Sequence, residues 1–357
     1  MLSRRSLLFA ATAGLLTACG SDDEDPVPSA AKPAPSSSSR PPLSAAPAGP
    51  GAERLARFRL PEKGVCGGLD WSPSGDLLAV TGQGQVALFA GSGGEAPVVA
   101  AKAHGTAMAN SVAWAPDGGR FVTVGTDSVL QFWSADGTPT RSVQLKGVER
   151  HGLVRWSPKG NLLAVSTGNT PLTVDVSGPV PGQPVAGTKV EVLYELAWAP
   201  DGASYYVVGA GGVARCPAPS GPPLVTLADA AVRVWRSAAV ASDGRVVIAA
   251  RADDRDVIRV YSPDLATPGP LFEVPDGTST VTTMRFAPDG RRLVVGFQQG
   301  PVGVWEVTGT QARYVGGYRG HARPGDGGYG VAWQPGTDRV ASLDADGSVH
   351  LWRISSG

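Results

Sequence analysis

Short apolar runs recur along most of the chain, each bounded by Gly, Pro, Asp or Ser. Runs of roughly four to eight residues, rich in Val, Leu, Phe and Trp, predict strands. No stretch places its apolar positions at helical spacing. The runs are keyed to one recurring signature: an aromatic, a small residue, Pro, any residue, Gly. It stands at Trp71–Gly75, Trp114–Gly118, Trp156–Gly160, Trp198–Gly202 and Phe286–Gly290, with weaker copies at Val240–Gly244 and Trp333–Thr337. The copies begin 43, 42, 42, 42, 46 and 47 residues apart. Pro presets one turn dihedral, Asp accepts from a nearby backbone N–H, and Gly takes the positive φ, so the signature predicts a tight turn.

Each copy sits in the same sequence of runs. One strand ends at the aromatic (Ser111–Trp114) and a second follows the turn (Leu77–Thr81, Phe121–Val124). A third ends near a Trp (Val129–Trp133, Val302–Trp305, Val349–Trp352), and a variable fourth closes the unit (Val98–Lys102, Arg141–Lys146, Leu224–Leu227, Arg313–Tyr318). A period of about 40–45 residues with four strands per unit is that of propeller blades. Such sheets must bury both faces against neighbours, which closes a ring. The expected fold is all-β, a seven-bladed β-propeller of four-stranded antiparallel blades over residues 54–357. The last unit, Tyr329–Ile354, contains only three strands. Arg54–Leu60 is therefore expected to supply its outer strand and fasten the ring.

The units resemble the WD-repeat family beyond their period. That family carries a buried tetrad of His, Ser or Thr, Asp and Trp. His104, Thr123, Asp127 and Trp133 match it in the second unit, and His321, Ser342, Asp346 and Trp352 in the seventh. In both, Asp stands six and Ser or Thr ten residues before the Trp. The Trp-Asp dipeptide that names the family is absent: Trp133-Ser134, Trp305-Glu306 and Trp352-Arg353 stand there instead. The resemblance implies that these polar groups satisfy one another inside a blade. A His-Ser-Asp set in the seventh unit is accordingly not expected to be a catalytic triad.

The first 53 residues have a different character. Arg4 and Arg5 precede an apolar stretch, Leu7 to Thr17, followed by small residues. This is the order of a bacterial secretory signal, here over residues 1–18. Its eleven residues as a helix span only ~16 Å of a ~30 Å hydrocarbon layer, too little to cross. Leu16-Thr17-Ala18-Cys19 resembles a bacterial lipobox, which implies cleavage before Cys19 and acylation of that cysteine, palmitate included. Ser3–Leu8 resembles a twin-arginine signal, so export by the Tat or the Sec route fits, to the periplasmic or extracellular side of the cell envelope. Residues 19–53 are dominated by Pro, Ser and Ala and are expected to form a disordered tether.

Charge and chemistry narrow the function. Lys+Arg and Asp+Glu number 31 each, which lacks the basic footprint of a nucleic-acid binder. The four histidines and three cysteines show no metal-ligand spacing, so no metal is expected. Neither a cofactor motif nor a catalytic set is present. Cys66 and Cys216 fall in units on nearly opposite sides of the ring and are not expected to pair. Propellers of this family usually bind partners where first strands begin. There stand Tyr194, Trp235, Arg236 and Tyr329, with His151 nearby, and Tyr, Trp and Arg are the commonest interface hot spots. These five form the candidate partner-binding face. The expected function is a non-enzymatic, monomeric scaffold that binds another protein or a peptide and meets the membrane only through its lipid. The alternative is a propeller enzyme, of the hydrolase, lactonase or quinone-cofactor type, with Glu195, His151 and Arg236 converging at the central channel.

Overall fold

The computed structural model describes residues 51–354, apart from 63, 65, 146–151, 229–231, 253–254, 274–279, 299–300, 310, 322–329 and 345. It contains seven antiparallel four-stranded sheets. The chain opens with β1 (Ala52–Arg59). Blade 1 is β2 (Cys66–Trp71), β3 (Leu77–Gly82), β4 (Gln85–Ala90) and β5 (Val99–Lys102). Blade 2 is β6 (Ala109–Trp114), β7 (Arg120–Gly125), β8 (Val129–Ser134) and β9 (Pro139–Gln144). Blade 3 is β10 (Val154–Trp156), β11 (Leu162–Thr167), β12 (Thr170–Asp175) and the two-residue β13 (Val185–Ala186). Blade 4 is β14 (Leu193–Trp198), β15 (Ser204–Gly209), β16 (Gly212–Pro217) and β17 (Val225–Leu227). Blade 5 is β18 (Val232–Val240), β19 (Val246–Ala252), β20 (Arg255–Tyr261) and β21 (Pro268–Glu273). Blade 6 is β22 (Val281–Phe286), β23 (Arg292–Phe297), β24 (Val302–Val307) and β25 (Ala312–Tyr318). Blade 7 is β26 (Val331–Trp333), β27 (Arg339–Leu343) and β28 (Ser348–Ile354), and its fourth strand is β1. The fold is thus a seven-bladed propeller fastened by its N-terminal strand.

The signature glycines do what their positions predict. Gly75, Gly118, Gly160, Gly202, Gly244, Gly290 and Gly336 all have φ between +63° and +88°, where a β-carbon is strained. In the turn after β6, the Gly118 N–H donates to Ala115 O at 2.9 Å. The seventh copy moves its glycine one residue earlier, to Gly336, and keeps the turn.

The core lies between blades rather than within them. The buried apolar residues fall into clusters that each span two neighbouring blades, including the pair 7 and 1. In that last cluster Phe58 of β1 is fully buried, with its ring 4.9 Å from Phe89 of β4. Cys66 and Cys216 are buried free thiols.

Blade 2 closes its polar interior as follows. His104 Nδ1 lies 3.0 Å from Asp127 Oδ1, and His104 Nε2 lies 2.8 Å from Thr123 Oγ1. Trp133 Nε1 donates to the same hydroxyl at 3.0 Å. In blade 7, Trp352 Nε1 donates to Ser342 Oγ at 2.9 Å, and that hydroxyl lies 3.0 Å from His321 Nε2. Asp346 does not join them, contrary to the expectation from spacing. Its carboxylate is taken by Arg57 and by Arg59, the latter at 2.8 Å. Both arginines sit on β1, so the strand that fastens the ring captures the aspartate. Asp344, fully buried, faces His321 Nδ1 at 3.5 Å instead.

If β1 holds the ring through the blade 7–blade 1 core, Phe58→Ala should cost about 3–5 kcal/mol, the usual range for truncating a buried Phe. Urea denaturation of the full chain would measure it. A loss below about 1 kcal/mol would mean that closure rests on the strand's backbone alone.

Candidate functional site at the channel mouth

The first strand of each blade lines the centre of the ring. In five of these strands the pairing slips by one residue, between Cys66 and Leu69, Ala109 and Ser111, Leu193 and Glu195, Trp235 and Ser237, and Val281 and Thr283. Such a bulge leaves one residue unpaired and re-aims side chains. The bulged positions are Gly67-Gly68, Asn110, Tyr194, Arg236 and Thr282. In these five strands they include the position four residues before the first residue of the signature, which Tyr194 and Arg236 of the candidate face occupy.

A cavity of ≈ 120 Å³ lies among the first strands of six blades. Its lining includes Gly67, Asn110, Arg155, Tyr194, Glu195 and Arg285. Tyr194 stands at its lip, 39% exposed. The neighbouring position is the reverse: Cys66, Ala109, Leu193, Trp235 and Val281 are all buried. Trp235 is therefore not on the face where sequence put it. It is 3% exposed and packs with Tyr206, Val208 and Ile248 between blades 4 and 5. The bulge explains this, because it sends the residue before it into the interblade core and leaves Arg236 outside the ladder. Arg236 is half-buried, its Nε without a hydrogen bond, and its charge acts on Asp256 in the same blade. His151 and Tyr329 lie outside the described residues.

The cavity floor carries charges that the candidate face omitted. Arg155 Nη2 donates to Glu195 Oε1 at 2.7 Å, and Arg285 Nη1 to Glu195 Oε2 at 3.3 Å. Blades 3, 4 and 6 are tied together through one carboxylate. Burial pushes Glu195 up, but the two guanidiniums and the Leu196 N–H pull it down further, leaving it below its ordinary value. Burial also pulls Arg155 down, against the support of Glu195. Asp70, in the place of Arg155 and Arg285 on blade 1, accepts from the Trp114 N–H of blade 2 at 2.8 Å. Burial pushes its carboxyl up to about 6, against the pull of that N–H and of both arginines.

The signal for these residues was present in the sequence. The residue just before each signature aromatic is Ala in four copies and Asp70, Arg155 or Arg285 in the other three. Glu195 stands three before its aromatic, as do small residues such as Gly68, Ser111 and Ser237.

A second polar cluster lies in blade 7. Potential ligand atoms of His321, Asp344 and His350 all fall within 4.8 Å of one another. Burial lowers both imidazoles, His350 to about 4. Linear spacing concealed this group, because its members sit before β26, after β27 and on β28.

Comparison with known proteins agrees with this architecture. Residues 97–134, which span β5 to β8, match the family model described as WD domain, G-beta repeat. WD repeat-containing protein 1 of Gallus gallus is 29% identical over 87 residues, covering 24% of this chain and 14% of that protein. The chain therefore spans a small part of that relative's length. The crystal structure of the Cps50 (Swd1) β-propeller domain of Myceliophteria thermophila superposes with a TM-score of 0.69 at 15% identity, covering 85% of this chain and all of that one. At that identity the likeness is one of fold. WD propellers are generally non-enzymatic scaffolds that bind proteins.

Asp70 gives this site a pH signature. A carboxyl with a folded-state pKa near 6, above its ordinary 3.8, stabilises the fold only while protonated. Its cost is absent below 3.8, grows between 3.8 and 6 and is complete above 6. Asp70→Asn should therefore gain on the wild type by about 1–2 kcal/mol between pH 4 and pH 7.5, less than the full shift implies because the side chain is only half-buried. Urea midpoints at the two pH values would show it. A stability gap independent of pH would remove Asp70 from the account.

Proposed function

We propose that this WD-repeat propeller is a protein- or peptide-binding scaffold, held at the bacterial cell envelope by a lipid on Cys19. The observation that carries the binding role is the cavity at the channel mouth, with its charges already paired and a tyrosine at its lip. Glu195 is committed to Arg155 and Arg285, so it acts as a structural counter-ion and holds three blades in register. A rigid floor of that kind keeps the recess in shape before any partner arrives, which lowers the ordering cost of binding. Around it stand Asn110, Thr282 and the backbone of Gly67. Those groups suit the amides of an extended peptide, and Tyr194 offers it a rigid amphipathic surface.

The anchoring part of the reading rests on sequence. Arg4, Arg5, the apolar stretch and Leu16–Cys19 specify export and acylation, by the Tat or the Sec route, and residues 19–53 supply a Pro-rich spacer. A tethered single-chain ring of this kind reorients freely at a membrane surface while its lipid keeps it local. Acylation adds ~0.8 kcal/mol of membrane affinity per buried CH₂, and stable anchoring takes more than one chain. Residues 54–357 need contribute no membrane contact.

Each half is testable alone. Cys19→Ser in the full chain should abolish incorporation of labelled palmitate and move the protein from the membrane to the soluble fraction of its host. Retention of label would place the lipid elsewhere, and a wild type that takes up no label would remove it. For the binding face, the wild type immobilised in envelope extract should capture one stoichiometric protein. Tyr194→Ala should weaken that capture about tenfold or more, as expected for an interface tyrosine. Equal capture by the variant would put the binding surface elsewhere on the ring.

A further inference from the structure

We infer that His321, Asp344 and His350 form a binding site for a divalent first-row transition ion inside blade 7. The three residues reach one point from three directions. His321 Nδ1 lies 3.5 Å from Asp344 Oδ2, and His350 Nε2 lies 3.8 Å from the same oxygen. Around a tetrahedral zinc ion with bonds of about 2.0–2.1 Å, neighbouring ligand atoms stand about 3.4 Å apart. Closing onto an ion therefore asks for shifts of a few tenths of an ångström at these two contacts, and the three ligand atoms, all within 4.8 Å of one another, draw together by at most about 1.4 Å.

The outer nitrogens are already engaged. His321 Nε2 lies 3.0 Å from Ser342 Oγ, and His350 Nδ1 lies 2.7 Å from Tyr318 Oη. Metal-bound imidazoles ordinarily use their second nitrogen in this way, which fixes the ring and its tautomer. On metal binding the proton of His321 moves to Nε2, which then donates to Ser342 Oγ. That hydroxyl already accepts from Trp352 Nε1 and has a second lone pair for the imidazole. The rings of His321 and His350 are stacked, with centroids 4.9 Å apart. Tyr318 packs edge-on against both.

An independent observation points to a ligand. The His321 side chain is 4% exposed, and its Nδ1 has no hydrogen-bond partner among the described residues. It is aimed at a carboxylate too far away to accept well. Blade 2 shows the contrast: its histidine approaches Asp127 to 3.0 Å and is satisfied. The seventh blade has exchanged two residues relative to that arrangement. Asp344 stands where blade 2 has Gly125, and His350 stands where it has Gln131. Both exchanges add a metal-ligating group facing the same histidine. Ser348 Oγ, 3.2 Å from His350 Nε2, is held at 2.5 Å by Asp346 Oδ1 and is a neighbour rather than a ligand. Two imidazoles and one carboxylate suit zinc and its first-row neighbours better than calcium or magnesium. Three protein ligands leave the fourth position to water.

The test is a calorimetric titration of zinc chloride into the full chain after treatment with a chelator. The wild type should bind one zinc ion, with a rise in melting temperature. His350→Gln and Asp344→Gly each restore the residue that blade 2 carries at that position, so the blade retains a pattern that already folds in this chain. Each should lose at least tenfold in affinity and lose the thermal shift. His104→Gln, in blade 2, should bind zinc as the wild type does. Absence of stoichiometric binding by the wild type would overturn the site, as would undiminished binding by both blade 7 variants.

Discussion

The pairing of β1 with β28 is the constraint on which the other blades depend. Each sheet is apolar on both faces and is covered only by its neighbours. An open stack of seven would expose one face of blade 1 and one of blade 7 to water. Seven registered pairs, from Ala52 with Ile354 to Arg59 with Ser348, complete blade 7. Phe58 then enters the cluster that joins blade 7 to blade 1. The ends that meet are about 300 residues apart in sequence. Loop-closure entropy rises only logarithmically with length, so this distance adds little to the cost. Closure removes two exposed sheet faces and pairs a strand edge at once.

With the ring closed, the first strands are fixed at its centre, and small irregularities in them acquire consequences. A regular strand would alternate its side chains between the two interblade interfaces. The recurring bulge breaks that alternation and frees one position per strand. In blade 4 this position is Tyr194, at the cavity lip; in blade 5 it is Arg236. Beneath them, Glu195 meets Arg155 and Arg285 from blades 3 and 6 at 2.7 and 3.3 Å. An isolated carboxylate at so buried a place would be costly, and the two guanidiniums supply the compensation. The channel mouth is therefore polar, rigid and close to neutral, while the rim varies.

Much of this was legible in the sequence because the blade is a local object. The turn glycine, the aromatic before it and the apolar runs lie within some 40 residues of one another, and all seven glycines adopt the expected φ. The closing strand was legible by elimination, since the last unit had one strand too few. Outer strands were harder to read. β13 consists of two exposed residues, and β21 begins at Pro268 with Leu271 half-exposed, so neither carries an apolar alternation. Trp235 has the residue type of an interface hot spot, but its register places it between blades. It aligns with Cys66, Ala109, Leu193 and Val281, an apolar series that marks an interblade position. Asp70, Arg155 and Arg285 each carry no signal alone. Only the ring brings the two arginines to one carboxylate and within electrostatic reach of Asp70.

Asp346 shows most directly why spacing alone could not complete the picture. In blade 2, Gly125 packs so closely on the histidine that a β-carbon there would lie 2.6 Å from His104 Nδ1. The imidazole and Asp127 can then meet. In blade 7 the same place holds Asp344, whose side chain fills the space beside His321. Meanwhile β1 delivers Arg57 and Arg59 to the other aspartate, roughly 290 residues away in sequence. A carboxylate with a choice between a neutral imidazole and two guanidiniums goes to the guanidiniums, because charge-assisted bonds are about twice as strong. Asp346 leaves the tetrad for the closing strand, and Asp344 inherits the histidine without satisfying it. The fastening of the ring and the polar interior of blade 7 are therefore coupled: the residues that lock the former determine which carboxylate the latter contains.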